Sequence, residues 1–165
     1  MPGEVGSYGP NWKVHMTANV QASLHKLQSL SQQLNEASDT LSAELNSVET
    51  ALNKLKLGVS AWVRLHTEDA GDGYTRVYNL GYYKLKGKWG LVVGEFIEET
   101  VDGSEGDDGI VFLRETSREC RMEAAEVITE LLEKLATNAA KTTETAKQRA
   151  AEAREIASTL SKGRT

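Results

Sequence analysis

The chain has 165 residues, of which 39% are hydrophobic and 6% aromatic, and its formal net charge is -5. This length and composition can bury one ordinary core, whereas a disordered tail would contain fewer apolar residues and a nucleic-acid coat protein would be basic. Cys120 is the single cysteine, so an internal disulfide framework and a multi-cysteine metal site within one chain are excluded.

The sequence carries none of the signals for export or membrane insertion. No basic start followed by an apolar run stands at the N-terminus, and no apolar stretch approaches the length of about 20 residues that crosses a bilayer. Because a single cysteine also fits a reducing compartment, we expect a cytoplasmic protein that does not enter a membrane.

The first part of the chain predicts a short leader and one long helix. Residues 1–16 contain both prolines and three glycines without periodicity, which is typical of an extended or disordered leader. We expect a single domain over 17–163, whose first helix covers 17–57, with Thr17 as its N-cap and Gly58 as the left-handed residue that follows it. Side chains in this helix recur on alternating steps of four and three, and this heptad stripe comprises Val20, Leu24, Leu27, Ser31, Leu34, Ser38, Leu41, Leu45, Val48, Leu52 and Leu55.

A β-meander is predicted over 59–115, because the period of the apolar residues changes there to two. The second strand covers 74–85 and the third covers 88–99, and the two-residue turn Lys86-Gly87 joins them as a hairpin. A fourth strand is predicted over 110–115. The turn fixes the register, so that the facing pairs are Lys84 with Trp89, Tyr82 with Leu91, Leu80 with Val93 and Tyr78 with Glu95.

Three glycines, Gly81, Gly90 and Gly94, make the middle of the opposite face of this hairpin shallow. Glycine within a strand often marks the close approach of another group. The favoured interpretation is that a helix end or an aromatic ring lies over the gap, and the alternative is another backbone or a ligand.

The second long helix is predicted over 117–162. Thr116 and Glu119 have the spacing of a capping box, and Gly163 follows a run without Pro or Gly. Its large apolar residues give way to small ones, which are expected to face the leucines of the first helix. We therefore expect an α+β fold in which two long antiparallel coiled-coil helices flank an inserted four-stranded antiparallel β-meander. In architecture alone, this outline is similar to the larger prefoldin subunits, in which a helical hairpin flanks strands that assemble into a common platform.

Residues with catalytic or metal-binding chemistry are few and scattered. His15, His25 and His66 fall in different predicted elements, and no histidine neighbours Cys120 in the sequence. We therefore predict no enzymatic activity, no cofactor and no metal site. The acidic segment 98–108 concentrates carboxylates without the ligand order of an EF-hand, so a solvated turn is favoured and a bound cation remains the alternative.

Aromatic rings and lysines surround the hairpin turn, a combination that is typical of single-stranded nucleic-acid binding. The residues of this candidate surface are Tyr82, Tyr83, Lys84, Lys86, Lys88 and Trp89. Sheets also favour aromatic residues, and lysines keep an exposed turn soluble. Because acidic residues outnumber basic ones across the predicted meander, nucleic-acid binding is the alternative hypothesis and not the main one.

The main hypothesis is a non-enzymatic protein–protein interaction or assembly module, such as a scaffold, an adaptor, a chaperone-like protein or an inhibitor. The apolar stripe of the second helix is wider than one antiparallel partner covers, and the sheet is not expected to reach its full width. A homodimer is therefore predicted, with a different protein as the competing partner. The predicted self-association face comprises Leu30, Ala37, Val127, Leu132, Ala136 and Ala140. Leu45 and Leu131 are expected to lie in the seam between the two helices, near the sheet.

Overall fold

The computed structural model describes the backbone of residues 11–71, 73–99 and 105–162, and the side chains of residues 19–71, 73–97 and 109–162. The elements in chain order are helix α1 (Asn11–Leu55), strands β1 (Ala61–Gly71), β2 (Tyr74–Leu85), β3 (Lys88–Glu99) and β4 (Glu105–Phe112), a 3-10 turn (Leu113–Glu115) and helix α2 (Arg118–Lys162). The strands form one sheet in the order β1-β2-β3-β4, and each neighbouring pair is antiparallel. The predicted α+β class, with a four-stranded antiparallel meander and two helices, is confirmed.

The chain divides into two compact units, Met1–Thr40 and Leu41–Thr165. In its described part, the first unit is the N-terminal portion of α1. The second unit contains the remainder of α1, the sheet and α2. The single domain over 17–163 stays a prediction, and the coiled coil between the helices is not confirmed. Over the described residues, neither helix has an apolar run long enough to cross a membrane.

Helix α1 begins at Asn11, inside the predicted leader, and not at Thr17. The reason is local: both prolines and all three glycines of the leader precede residue 11, so they do not interrupt a helix that begins there. The helix ends at Leu55, before the predicted 57, because Lys56 already takes the left-handed conformation with a φ of 51°. Residues 1–10 of the predicted leader lie outside the described residues.

Strands β2 and β3 form the predicted hairpin. Lys86 and Gly87 have φ angles of 48° and 82°, which are the positive values that a tight two-residue hairpin turn requires. The predicted register is confirmed, since the facing pairs include Lys84 with Trp89, Tyr82 with Leu91, Leu80 with Val93 and Tyr78 with Glu95.

An aromatic ring fills the shallow part of the opposite sheet face, as the favoured interpretation predicts. A Cβ added at Gly81 would lie 2.4 Å from Cε3 of Trp62, and one at Gly94 would lie 3.1 Å from Cζ3 of the same ring. The centroid of the Trp62 ring lies 5.5 Å from that of Tyr83 and 5.6 Å from that of Phe96. This face of the sheet therefore builds a small aromatic layer from its own strands.

The helix-facing side of the sheet carries the main core, to which both helices contribute. Its buried members are Leu45, Leu52, Ala61, Val63, Leu80, Tyr82, Leu91, Val93, Leu113, Ala124, Leu131 and Leu135. Leu45 is 6% exposed and Leu131 is 0% exposed, so both side chains are buried in this core as expected, whereas the predicted seam between the two helices is not confirmed.

Helix α2 packs on strands β1 and β2 and runs opposite to β1. Near its start Glu123 Oε2 lies 2.7 Å from His66 Nδ1, and further along Asn138 Nδ2 donates a hydrogen bond of 2.8 Å to the carbonyl of Ser60. The expectation that the sheet does not reach the flank of the α2 stripe is wrong, because Val127 packs against the core. A sheet and a partner helix both bury a stripe of the same helical period, so the pattern alone does not distinguish them.

The start of α2 differs from the predicted capping box. Ser117, and not Thr116, caps the helix, since Ser117 Oγ accepts a hydrogen bond of 3.2 Å from the backbone N–H of Cys120. Thr116 Oγ1 instead donates to the carbonyl of Leu113 at 2.7 Å and closes the 3-10 turn. The 3-10 turn therefore moves the cap of α2 by one residue.

The pKa of Glu119 is lowered, first by a hydrogen bond to its own backbone N–H and next by the Ser117 hydroxyl.

Strand β4 differs from the predicted 110–115 at both ends, because it covers Glu105–Phe112. Its first residues belong to the acidic segment 98–108, and their backbone pairs with β3. The side chains of 98–108 lie outside the described residues, so the solvated turn and the bound cation both stay predictions.

Candidate functional site

A row of exposed apolar side chains runs along the N-terminal portion of α1. We call this row the exposed stripe; its members are Val20, Leu24, Leu27, Leu30 and Leu34, which are 53%, 52%, 61%, 48% and 50% exposed. Because they recur on steps of three and four in one helix, they lie on one side of it. Single exposed leucines are ordinary on protein surfaces, but a contiguous apolar row is typical of an interaction surface.

Neutral side chains border the exposed stripe. With Leu24 at heptad position a and Leu27 at position d, Leu30 is the member of the stripe at the flanking position g, and the other e and g positions hold Gln21, Ser23, Gln28, Asn35 and Ala37. Of the predicted self-association residues, Leu30 and Ala37 therefore lie together on one flank. The structure shows both of them exposed, as the predicted face requires.

The ionisable side chains of this segment lie away from the exposed stripe. Between residues 19 and 40 they are His25, Lys26, Glu36 and Asp39, which occupy the outer heptad positions b, c and f. Gln32 Nε2 donates a hydrogen bond of 2.9 Å to Glu36 on this outer side. The helix is therefore amphipathic, with its charges concentrated opposite the apolar row.

In the second unit, Glu49 fastens α1 to the sheet. Glu49 Oε2 accepts a hydrogen bond of 2.8 Å from the backbone N–H of Leu91, and Oε1 lies 3.3 Å from Arg114 Nη1. The guanidinium of Arg114 lies 4.1 Å above the Phe112 ring. A Cβ at Gly90 would lie 3.0 Å from Glu49 and 3.0 Å from Phe112, so a side chain at this position would require one of these two neighbours to shift.

A cavity of about 110 Å³ lies beside Glu49. Arg121 also lines this cavity; its Nη1 donates to the carbonyl of Thr116, and its Nε is buried with no partner among the described residues. Glu49 supplies the negative charge that faces Arg114, and Arg121 is the second arginine of the lining. Its side chains serve the attachment of α1 to the sheet.

Tyr82 belongs to this attachment and not to a nucleic-acid surface. Its side chain is 2% exposed, and its hydroxyl donates a hydrogen bond of 2.7 Å to Asn53 Oδ1 of α1. Burial, and next the charge of Glu49, raises the pKa of Tyr82 above its ordinary value of 10.0. One face of the ring stacks on Trp89, with centroids 5.3 Å apart. Tyr82 is therefore unavailable for stacking on a base.

The other residues of the predicted nucleic-acid surface do not form one platform. Tyr83 points to the opposite sheet face and contacts Trp62, while Lys84 pairs with Trp89 on the helix-facing side. Lys84, Lys86 and Lys88 are exposed around the turn. Because successive side chains of a strand point to opposite faces, Tyr82 and Tyr83 cannot lie on the same surface. This separation could have been inferred from the sequence.

Sequence reasoning missed the contact between His66 and Glu123, whose Nδ1 and Oε2 atoms lie 2.7 Å apart. The His66 ring stacks on Tyr78 with centroids 4.5 Å apart, and its Nε2 lies 3.7 Å from Glu68 Oε1. Within the part of the chain that the structure describes, no group of three or more His, Cys, Asp or Glu side chains is arranged to hold a metal ion. His66 and Glu123 lie 57 positions apart in the sequence, so no local pattern predicts their contact.

Cys120 is half-buried near the start of α2. Burial is the main cause that raises the pKa of the Cys120 thiol, and the charge of Glu123 raises it further. A nucleophilic cysteine requires the opposite shift. The thiol therefore behaves as a packing group.

The predicted association residues on α2 divide into two groups. Val127 is partly buried against the core, whereas Leu132 is 38% exposed. Ala136 and Ala140 are also exposed and follow Leu132 at steps of four, so these three residues form one line along the helix.

Comparison with protein-family models, with curated proteins and with solved structures gives no match.

Proposed function

We propose that this protein is a non-enzymatic interaction and assembly module, and that the exposed stripe of α1 is its docking surface for a second copy of the chain. The observation that carries the proposal is the row of half-exposed residues from Val20 to Leu34. Full burial of an exposed leucine side chain contributes about 1.5–3 kcal/mol; because the side chains of this row are already about half-buried, each one gains roughly half of that amount on pairing.

The neutral borders of the exposed stripe support a second copy as the partner. Two identical surfaces that each carried charged flanks of one sign would repel each other. Here the flanks are amide, serine, alanine and leucine side chains, such as Gln28 and Leu30, and the charges lie on the outer side. Identical surfaces of this kind meet without a conflict of charge, and two-fold homodimers are the commonest protein oligomers.

The exposed line on α2 extends the proposal to a four-helix arrangement. Leu132, Ala136 and Ala140 are the candidates for this second contact. Further along α2, Ile156 and Leu160 are 60% and 69% exposed, but at about 100° per residue they lie on a different side of the helix from this line. In this arrangement each copy contributes α1 and α2, with coiled-coil packing between helices of different copies.

The test is the mass in solution over a dilution series, measured by light scattering coupled to gel filtration. We expect a mass near twice the 18.0 kDa of the chain at high concentration, and dissociation on dilution. Leu27→Asp places a charge in the exposed stripe and should abolish the dimer. Ser29→Asp places the same charge on the outer side and should leave the dimer intact.

Circular dichroism spectra of both variants check that helicity is unchanged. A wild-type protein that stays monomeric at every concentration would overturn self-association. Equal loss of the dimer in Leu27→Asp and Ser29→Asp would show that the exposed stripe is not the interface.

A further inference from the structure

We infer that two copies pair through the exposed stripe in antiparallel orientation, centred near Ser29, an inference that rests on the proposed self-association. The feature that points to this orientation is the order of large and small side chains at the core heptad positions. From residue 20 to residue 38 these positions hold Val20, Leu24, Leu27, Ser31, Leu34 and Ser38. Serine thus interrupts the C-terminal part of the row and not the N-terminal part.

A parallel pairing would place each residue opposite its own copy. Ser31 would then face Ser31 and Ser38 would face Ser38, so two neighbouring serine layers would flank the layer of Leu34. Two small polar side chains leave unfilled space between the helices, and such space costs the contacts that leucine pairs provide. The parallel arrangement therefore packs poorly where the serines lie.

An antiparallel pairing removes these serine layers. Position a of one helix then faces position d of the other, and the facing pairs are Val20 with Ser38, Leu24 with Leu34, and Leu27 with Ser31, each pair occurring twice across the two-fold axis. Each serine now faces a large apolar side chain. Large residues that face small ones fill the space between helices evenly.

The register is fixed by the same residues. A shift of one heptad in one direction leaves Leu34 and Ser38 without a facing residue in the exposed segment. A shift in the other direction requires Leu41, which packs against the core of the second unit. Only the centred register pairs all the core positions between 20 and 38.

The flanking residues agree with the centred antiparallel register. On one flank Leu30 faces Leu30 of the other copy at the two-fold axis, and Ser23 faces Ala37, so that two small side chains meet. On the other flank Gln28 faces Gln28, and amide side chains both donate and accept hydrogen bonds. Neither flank therefore places a charge or a mismatch in size across the interface.

Disulfide cross-linking tests the orientation. All variants carry Cys120→Ser, so that the introduced cysteine is the only one. In the antiparallel dimer, residue 38 of one copy lies beside residue 20 of the other and about 27 Å from residue 38, at ~1.5 Å per residue. After mild oxidation of an equal mixture of the Val20→Cys and Ser38→Cys proteins, we expect the mixed disulfide dimer as the main product, and almost no dimer from Ser38→Cys alone.

Ser29→Cys, on the outer side of the helix, is the control for random collision and should give only background cross-linking. Efficient dimer from Ser38→Cys alone would establish the parallel orientation and overturn this inference, while self-association would stand. A dimer by light scattering in which neither cross-link forms would also overturn it. A monomer by light scattering would instead overturn the proposed function, and the orientation with it.

Discussion

The same heptad stripe runs along both portions of α1, but its side chains are buried in one portion and exposed in the other. Leu45 and Leu52, in the second unit, are 6% and 5% exposed beneath the sheet, whereas Leu24 and Leu34, in the first unit, are 52% and 50% exposed. The periodicity therefore identifies which side of the helix needs a cover, but it does not identify the cover. In one portion the cover is the sheet of the same chain.

Hydrogen bonds also attach the buried portion of α1 to the sheet. Glu49 binds the backbone of Leu91, and Asn53 accepts the Tyr82 hydroxyl. Such contacts set how the helix is positioned on the sheet, because a shift of either partner breaks hydrogen bonds that apolar packing would tolerate. Apolar packing provides most of the driving force, and these two residues provide the position.

The largest effect is expected from Leu45→Ala. Removing this buried side chain should lower the free energy of unfolding by about 2–5 kcal/mol, because it leaves a cavity in the core. Leu27→Ala is the matched control in the exposed stripe. At concentrations where the protein is monomeric, its effect should stay below about 0.5 kcal/mol. Urea denaturation measures both, and similar losses would show that the two portions of α1 are not different environments.

Glu49→Gln should have the next largest effect. The amide keeps the shape of the side chain but loses the charge that faces Arg114 and weakens the bond to the Leu91 N–H. Hydrogen bonds to charged groups contribute about 1.5–3 kcal/mol, so we expect a loss of about 1–2 kcal/mol in urea denaturation. Glu44→Gln removes a charge from an exposed position on the same helix and should have little effect. If both variants lost the same amount, the attachment through Glu49 would be refuted.

The smallest effect is expected from Tyr82→Phe. Loss of the hydrogen bond to Asn53 should cost about 0.5–1.5 kcal/mol at neutral pH.

The same variant tests the raised pKa of Tyr82. The folded protein holds the phenol proton more tightly than the unfolded chain does, so this contribution is complete below pH 10.0 and is lost as the pH rises through the folded-state pKa. The stability difference between wild type and Tyr82→Phe should therefore shrink above pH 10. A difference that stays constant from pH 8 to pH 11 would contradict the raised pKa.

The features that the sequence predicts correctly are those that neighbouring residues determine. The turn at Lys86-Gly87 sets the register of the hairpin, and the strand glycines Gly81 and Gly94 predict a covering group such as an aromatic ring, although they do not identify that ring as Trp62. The predicted cap of α2 is wrong because a 3-10 turn precedes the helix and takes Thr116 for itself. Periodicity also does not reveal that the sheet covers the flank of the α2 stripe at Val127, because a sheet and a helix bury the same pattern.

In the candidate site, too, some features can be predicted from the sequence and others depend on the fold. Heptad spacing correctly places the members of the exposed stripe on one side of α1, but it predicted that small residues of the second helix face the leucines there, and it predicted only Leu30 of this stripe as part of the self-association face. The prediction of Tyr82 on a binding surface is wrong, because this residue shares a strand face with Leu80 in the core. The pair His66 and Glu123 joins residues that only the fold brings together, so it lies beyond sequence patterns.

Glu49 also bears on aggregation. Strand β4 pairs with β3 from Val92 onwards, so the preceding stretch of β3 has no β4 residue beside it, and the Leu91 N–H points to this side. An unpaired strand end of this kind is a template on which strands from other molecules can add to the sheet. The carboxylate of Glu49 occupies that donor and places a negative charge where an incoming backbone would lie. A single residue of α1 thus protects this end of β3 from the addition of further strands.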